Sequence, residues 1–231
     1  MTIDKFRRAY RIRIALFLSC VIFAIGLLGI AYQAFQALVQ LDAIERERDQ
    51  WQRPLDVLQV LDLKSGNTAL DLGCGSGYFA LKLSRTVGDR GKVLAVDIRR
   101  ISLLFLWIRA ALRSDRNISV THAEPDDPHL PVGTVDAALI ANTYHELTAP
   151  KTILDHVFHC LRPGGRLVVV DRGPGSGNGE PRDIETKHHE LPMRVAEEEI
   201  RQSRFEIVSR QDHFIDRPGE EPWWLIVGRK P

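Results

Sequence analysis

The residues best equipped for chemistry sit where apolar runs end. Asp71, Gly73, Gly75 and Gly77 lie in "LDLGCGSGYF" (70–79), Asp97 closes "KVLAVD", and Asn142, Tyr144, His145 and Glu146 follow "VDAALIA". Glycines at alternate positions let a chain turn sharply and let a ligand come close to the backbone. The dinucleotide fingerprint G-x-G-x-x-G has a third glycine for tight packing of the following helix. Tyr78 occupies that place here, so the spacing is G-x-G-x-G and argues against a nicotinamide cofactor. The Asp97 carboxylate offers two acceptor oxygens, enough for a pair of hydroxyls. Histidine is the side chain that exchanges protons near neutral pH, which makes His145 the candidate base. Tyr144 beside it is placed to orient an acceptor. "KHHE" (187–190) reads as a loop or helix start covering an acceptor pocket, with His189 on the substrate side. Its adjacent histidines point in different directions on regular structure and no partner cluster is evident, so no metal is expected.

Strands and helices alternate from residue 55 onward. Strands are expected at 68–72, 92–97, 118–122, 135–141, 166–171, 205–211 and 223–228. Helices are expected at 55–61, 76–87, 101–114, 150–161 and 192–203, and "RGPGSGNGEP" (172–181) reads as a mobile loop. Continuously apolar strands separated by helices specify an α/β fold, a doubly wound seven-stranded sheet, mostly parallel and covered on both faces. No helix separates the last two strands, so the final one must run antiparallel. The net charge of +1 over 231 residues leaves no nucleic-acid footprint. The three cysteines, Cys20, Cys74 and Cys160, have neither zinc-site nor disulfide-framework spacing.

The N-terminal segment is of a different kind. Residues 14–41 carry no charge, and the 18 residues "IALFLSCVIFAIGLLGIA" are almost wholly apolar. At helical rise they reach about 27 Å, close to the hydrocarbon thickness of a bilayer. Residues 1–13 supply Lys5, Arg7, Arg8, Arg11 and Arg13 ahead of them. The expectation is a single-pass membrane anchor at 14–41, a charged linker helix at 42–54 and the main domain at 55–231; a cleaved signal peptide is the alternative. The bias of basic residues keeps the N-terminus cytoplasmic and would put the domain on the other side. "ISLLFLWI" (101–108) is more apolar than a sheet-covering helix needs, and reads either as an ordinary core helix or as a surface for lipid or a partner.

"ALDLGCGSGYFALKLS" resembles motif I of the class I S-adenosylmethionine-dependent methyltransferases, and the resemblance spans about residues 52–231. Asp97, "EPDDPHLP", "VDAALIANTYHEL" and "LRPGGRLVVVD" follow in the family's order. The resemblance implies S-adenosyl-L-methionine as cofactor. Asp71 and the turn of Gly73, Gly75 and Gly77 would serve its methionine end, and Asp97 its ribose. Ile98 would lie against the adenine ring and Asp126 would meet the adenine amine, with Glu124 and Asp127 as substitutes. Asn142 completes the cofactor side, and His145 with Tyr144 would serve the acceptor. The expected function is membrane-tethered methyl transfer to a small or lipophilic acceptor, with no nucleic-acid partner. The alternative is a non-catalytic binding or assembly module on the same fold.

Overall fold

The computed structural model describes residues 3–174, 182–186 and 189–231. The expected loop at 172–181 therefore falls largely outside the described residues, as do Lys187 and His188. The chain divides into two compact units, Met1–Arg46 and Glu47–Pro231. The described residues of the first are all helical. Helix α1 (Ile3–Trp51) runs unbroken through both the apolar stretch and the charged segment behind it. From Leu16 it carries a window of mean hydropathy 2.1 with none of it buried, long and apolar enough to cross a membrane.

The second unit is built on a seven-stranded sheet. Its strands are β1 (Thr68–Leu72), β2 (Lys92–Asp97), β3 (Ile118–His122), β4 (Val135–Ala141), β5 (Leu161–Arg172), β6 (Glu206–Ile215) and β7 (Trp223–Arg229). The order is β3-β2-β1-β4-β5-β7-β6. Strands β1 to β5 are parallel, while β7 pairs antiparallel with both β5 and β6. Alternation along each central strand makes two cores. Ala69, Ala95, Leu139, Val168 and Val170 face a layer of α2 (Pro54–Leu61), α3 (Ala80–Val87) and α4 (Arg100–Arg113). Leu70, Val96, Ile140, Leu167 and Val169 face α5 (Pro150–Cys160) and α6 (Met193–Gln202). Burial on both faces is why the strands read as continuous apolar runs rather than alternating ones.

Two expectations are corrected. Helix α3 begins at Ala80, not at residue 76. Gly77 has φ +96°, and a left-handed residue there cannot belong to a right-handed helix, so residues 75–79 form turns. The charged segment 42–54 is not simply a linker. Its last residues belong to the sheet-bearing unit, where Asp49 accepts from Tyr78 Oη at 2.9 Å and pairs with Lys82 at 2.9 Å. Trp51 packs edge-on against Trp223 at 5.7 Å, and Arg53 donates to the Phe214 carbonyl at 2.6 Å. Tyr78 holds Asp49 from the place where a dinucleotide enzyme would have glycine. Arg48 lies 3.8 Å from its ring centre, completing the contact.

A chain of residues 42–231 should therefore melt as one stable unit, whereas residues 55–231 should lose about 3 kcal/mol and melt about 5–10 °C lower. Thermal unfolding followed by circular dichroism checks this, and equal melting temperatures would separate Asp49 and Trp51 from the domain's stability.

Candidate active site

The carboxyl ends of β1, β2, β4 and β5 converge on one edge, the place where ligands sit in an open parallel sheet. The three glycines of the turn have different reasons to be there. A Cβ on Gly73 would meet Thr143 Cγ2 at 2.3 Å, and one on Gly77 would meet Leu106 Cδ1 at 2.4 Å, so both are required by packing. A Cβ on Gly75, at φ +52°, would meet nothing within 4 Å. That open side is where a ligand can approach the backbone.

Asp97 ends β2 and is nearly buried. Its Oδ2 accepts from the Gly75 amide at 2.8 Å and its Oδ1 from the Arg99 amide at 2.7 Å, which ties the strand end to the glycine turn. Each oxygen keeps a further lone pair for a hydroxyl. Asp97 lines a cleft of about 190 Å³ together with Gly73, Ile98, Glu124, Thr143 and Glu146. Ile98 is 53% exposed there, an apolar wall for a flat ring. Asp126 is corrected: it is exposed and does not line the cleft, whereas Glu124 does. The Glu124 amide bonds the Asp127 carbonyl at 2.9 Å, and that turn carries Asp126 on its outside. Asp127 is occupied with the His129 amide at 2.8 Å.

Asp71 lies behind the turn rather than on the cleft wall. It is 2% exposed, and its Oδ2 has no hydrogen-bond partner. Burial, reinforced by the nearby Asp97 charge, pushes its pKa up to about 7, against the lowering effects of the Ala80 amide and Arg48. A buried carboxylate oxygen with no donor fits a cationic amine brought in by a ligand.

A second recess, of about 470 Å³, lies beside the first and is lined by Gln52, Asn142, His145, Glu146, Arg172, His189 and Trp223 among others. Glu146 borders both recesses. Asn142, in left-handed backbone at φ +54°, faces this recess and not the cleft lined by Asp97. His145 stands in a single 3₁₀ turn (Tyr144–Glu146) after β4 and is largely buried. Its Nδ1 lies 2.8 Å from Oδ1 of Asp171, which is wholly buried, and its backbone amide donates to Asp171 Oδ2 at 2.9 Å. An ionised carboxylate only accepts, so Nδ1 carries the hydrogen and Nε2 keeps its lone pair. Nε2 lies 3.8 Å from Glu146 Oε1, and the His189 ring sits edge-on at 5.7 Å. The ligand atoms of His145, Glu146 and His189 lie within 4.8 Å of one another, the one such group among the described residues. Bonds of about 2 Å to a first-row metal would require that group to contract.

Tyr144 is also corrected. It is wholly buried, and its hydroxyl donates to Glu199 Oε2 at 2.8 Å. Arg182 bonds both Glu199, at 2.7 Å, and the Tyr144 carbonyl. Burial and the Glu199 charge hold the phenol well above its usual range, so it is a structural pin and not an acceptor-orienting group. Asp171, Glu199, Arg182 and Gln52 were not singled out from the sequence. Only Asp171 had a readable signal, as an acid closing the apolar run "LVVVD" just as Asp97 closes "VLAVD".

Residues 69–165 match the family model described as a methyltransferase domain. The ubiquinone/menaquinone biosynthesis C-methyltransferase UbiE of Salmonella arizonae is 34% identical over 112 residues, which are 47% of this chain and 44% of that protein. The demethylmenaquinone methyltransferase of Oceanobacillus iheyensis is 21% identical over 140 residues, 61% of this chain and 58% of that one. The chain thus spans about half the length of these curated relatives. A SAM-dependent methyltransferase structure from Aquifex aeolicus shares the fold at a TM-score of 0.67 with 22% identity, over 84% of this chain and 98% of that one.

The raised Asp71 pKa has a testable sign. Below about pH 4 the carboxyl is protonated in folded and unfolded chains alike. As pH rises to about 7 the unfolded chain ionises first, so native stability falls over that window and is flat above it. Without cofactor, Asp71→Asn should be more stable than the parent at pH 8 by a few kcal/mol, and equally stable at pH 4. A cationic ligand needs the ionised form, so cofactor affinity of the parent should fall about tenfold per unit as pH drops below 7, and that of Asp71→Asn should be weak and flat. Calorimetric titration across pH 5–8 measures both; a parent affinity independent of pH would remove Asp71 from the amine site. Over residues 69–165 the chain is thus similar to methyltransferase domains, and its sheet-bearing unit has the fold of an S-adenosylmethionine-dependent methyltransferase.

Proposed function

We propose that the protein is a membrane-tethered methyltransferase acting on a lipophilic acceptor that bears a hydroxyl, a quinol-like ring being the best match. The observation that carries this reading is the Asp171–His145 pair, set on a recess that shares the Glu146 wall with the cofactor cleft. The UbiE likeness supports a quinone-type acceptor, and the apolar length of α1 supports a membrane address. When bound, S-adenosylmethionine supplies a methyl group on a cationic sulfur, an electrophile for in-line displacement.

The residues present fit that cofactor. The open side of Gly75 and the unpartnered Asp71 oxygen suit its methionine amine, Asp97 its ribose hydroxyls, and Ile98 with Glu124 its adenine. On the acceptor side, His145 Nε2 takes the hydroxyl proton, and Asp171 holds the Nδ1 hydrogen and stabilises the imidazolium that results. The freed electron pair makes the ring oxygen, or the carbon conjugated with it, nucleophilic toward the methyl group. The carbon–sulfur bond breaks as the new bond forms. Methylation at oxygen would leave the hydroxyl proton on His145 to pass to water; methylation at the conjugated carbon would instead return that proton to the oxygen as the carbon gives up its own hydrogen, which would leave to water. Asn142 and Gln52 stand on the recess wall to hold acceptor oxygens. For the rest, positioning the two reactants is the main contribution of the site.

His145→Gln and Asp171→Asn should each cut turnover by ~10²–10⁴ with reduced demethylmenaquinone analogues, while cofactor affinity stays within about threefold. Methyl-labelled cofactor and extracted lipids provide the assay. Unchanged turnover in folded variants, or no labelled lipid with the parent, would overturn the reading. The mass of the mature N-terminus separates a retained anchor from a cleaved leader.

A further inference from the structure

Helix α4 buries one face and leaves the other apolar. Leu103, Leu106 and Ala110 pack into the core, while Ile101 is 62% exposed, Leu104 49%, Trp107 61% and Leu112 73%. Steps of three join Ile101, Leu104 and Trp107, and the half-buried Ile108, four residues from both Leu104 and Leu112, links Leu112 to them. A helix that only covers a sheet should turn polar side chains outward there. The exposed charges around the stripe are basic, Arg99, Arg100, Arg113 and Arg116; no acid occurs from Ile98 to Ser114, and the acid that follows, Asp115, is half-buried. Arg99 leans toward Asp97 at 3.7 Å and Arg100 toward His122 at 3.4 Å.

We propose that the outer face of α4 is an interfacial helix that rests on an anionic lipid surface. Basic side chains flanking an apolar stripe that contains a tryptophan are what such a surface selects: rings and aliphatic chains enter the acyl boundary and arginines meet the headgroups. A protein partner would be expected to bring acids against those arginines and polar groups around the stripe. Lipid is also the partner that the apolar helix at 14–41 keeps within reach of the domain. That helix supports the inference without being required by it, and the test separates the two. Ile98 and Arg99 line the cofactor cleft immediately before α4 begins. A docked α4 therefore sets the rim of the cleft at headgroup level, where an acceptor dissolved in the bilayer is concentrated.

The test uses the full chain reconstituted in phosphatidylcholine vesicles, with and without phosphatidylglycerol, and with plain or brominated acyl chains. Emission of the parent minus that of Trp107→Phe isolates Trp107 from the other tryptophans. In vesicles with phosphatidylglycerol, bromination should remove the Trp107 component, high salt should restore part of it, and the double variant Ile101→Glu, Leu104→Glu should lose the quenching while still binding cofactor. Trp107 emission that bromination leaves intact in every vesicle overturns the proposal, including the case where cross-linking shows a second copy covering the stripe. Flotation reads the helix at 14–41 separately. A chain that floats on neutral vesicles with Trp107 unquenched keeps the anchor and loses the α4 face. A chain that floats only on anionic vesicles with Trp107 quenched keeps the α4 face and loses the anchor.

Discussion

Three carboxylates are buried at the carboxyl ends of β1, β2 and β5, and the site depends on how differently they are satisfied. Asp171 has no exposure, yet it receives the His145 ring and amide and the Arg172 amide. Asp97 receives the amides of Gly75 and Arg99. Charge held by several short N–H bonds is tolerable in a low dielectric. Asp71 has no donor for one of its oxygens, and its ionisation is opposed by both burial and Asp97. The same elementary cost is thus offset within the protein at two strand ends and left open at the third. The open one lies behind the glycine turn, where a cationic group from outside would relieve it.

Much of this was legible because of what the sheet demands of sequence. Strands covered on both faces read as unbroken apolar runs, and an acid or glycine at the end of such a run is conspicuous. The ends of β1 and β2 stood out for that reason. What stayed hidden was pairing between distant segments. Asp171 and His145 are 26 residues apart and meet only because β4 and β5 are neighbours. The Tyr144–Glu199 bond spans 55 residues, and nothing in "NTYHEL" marks which of two adjacent polar rings is turned inward. Glu124 and Asp126 could not be ranked without the tight turn that sends one into the cleft and the other to solvent.

The charged residues after the apolar helix show another limit. A run of alternating signs such as "DAIERERDQW" looks like a solvated connector, because its periodicity carries no wide apolar stripe. Only a few of its side chains are needed to join a core when the partners are aromatic. Trp51 against Trp223, and Asp49 beneath the Tyr78 hydroxyl, do it with two residues. Gln52, wholly buried beside Trp51, lies on the wall of the second recess. The end of this charged segment thereby also forms part of the wall of that recess.

The antiparallel strand near the C-terminal end has a consequence for how the molecule is made. β7 lies between β5 and β6, so two strands that precede it in the chain have no continuous hydrogen-bonded path to each other until residues 223–229 arrive. During synthesis the apolar edge of β5 stays open while about fifty further residues emerge, and β6 has nothing to pair with. Unpaired edges of this kind invite association with other chains. Sheet closure is therefore a late event that depends on long-range contacts, and nascent chains are most vulnerable to aggregation in the interval between the emergence of β5 and that of β7.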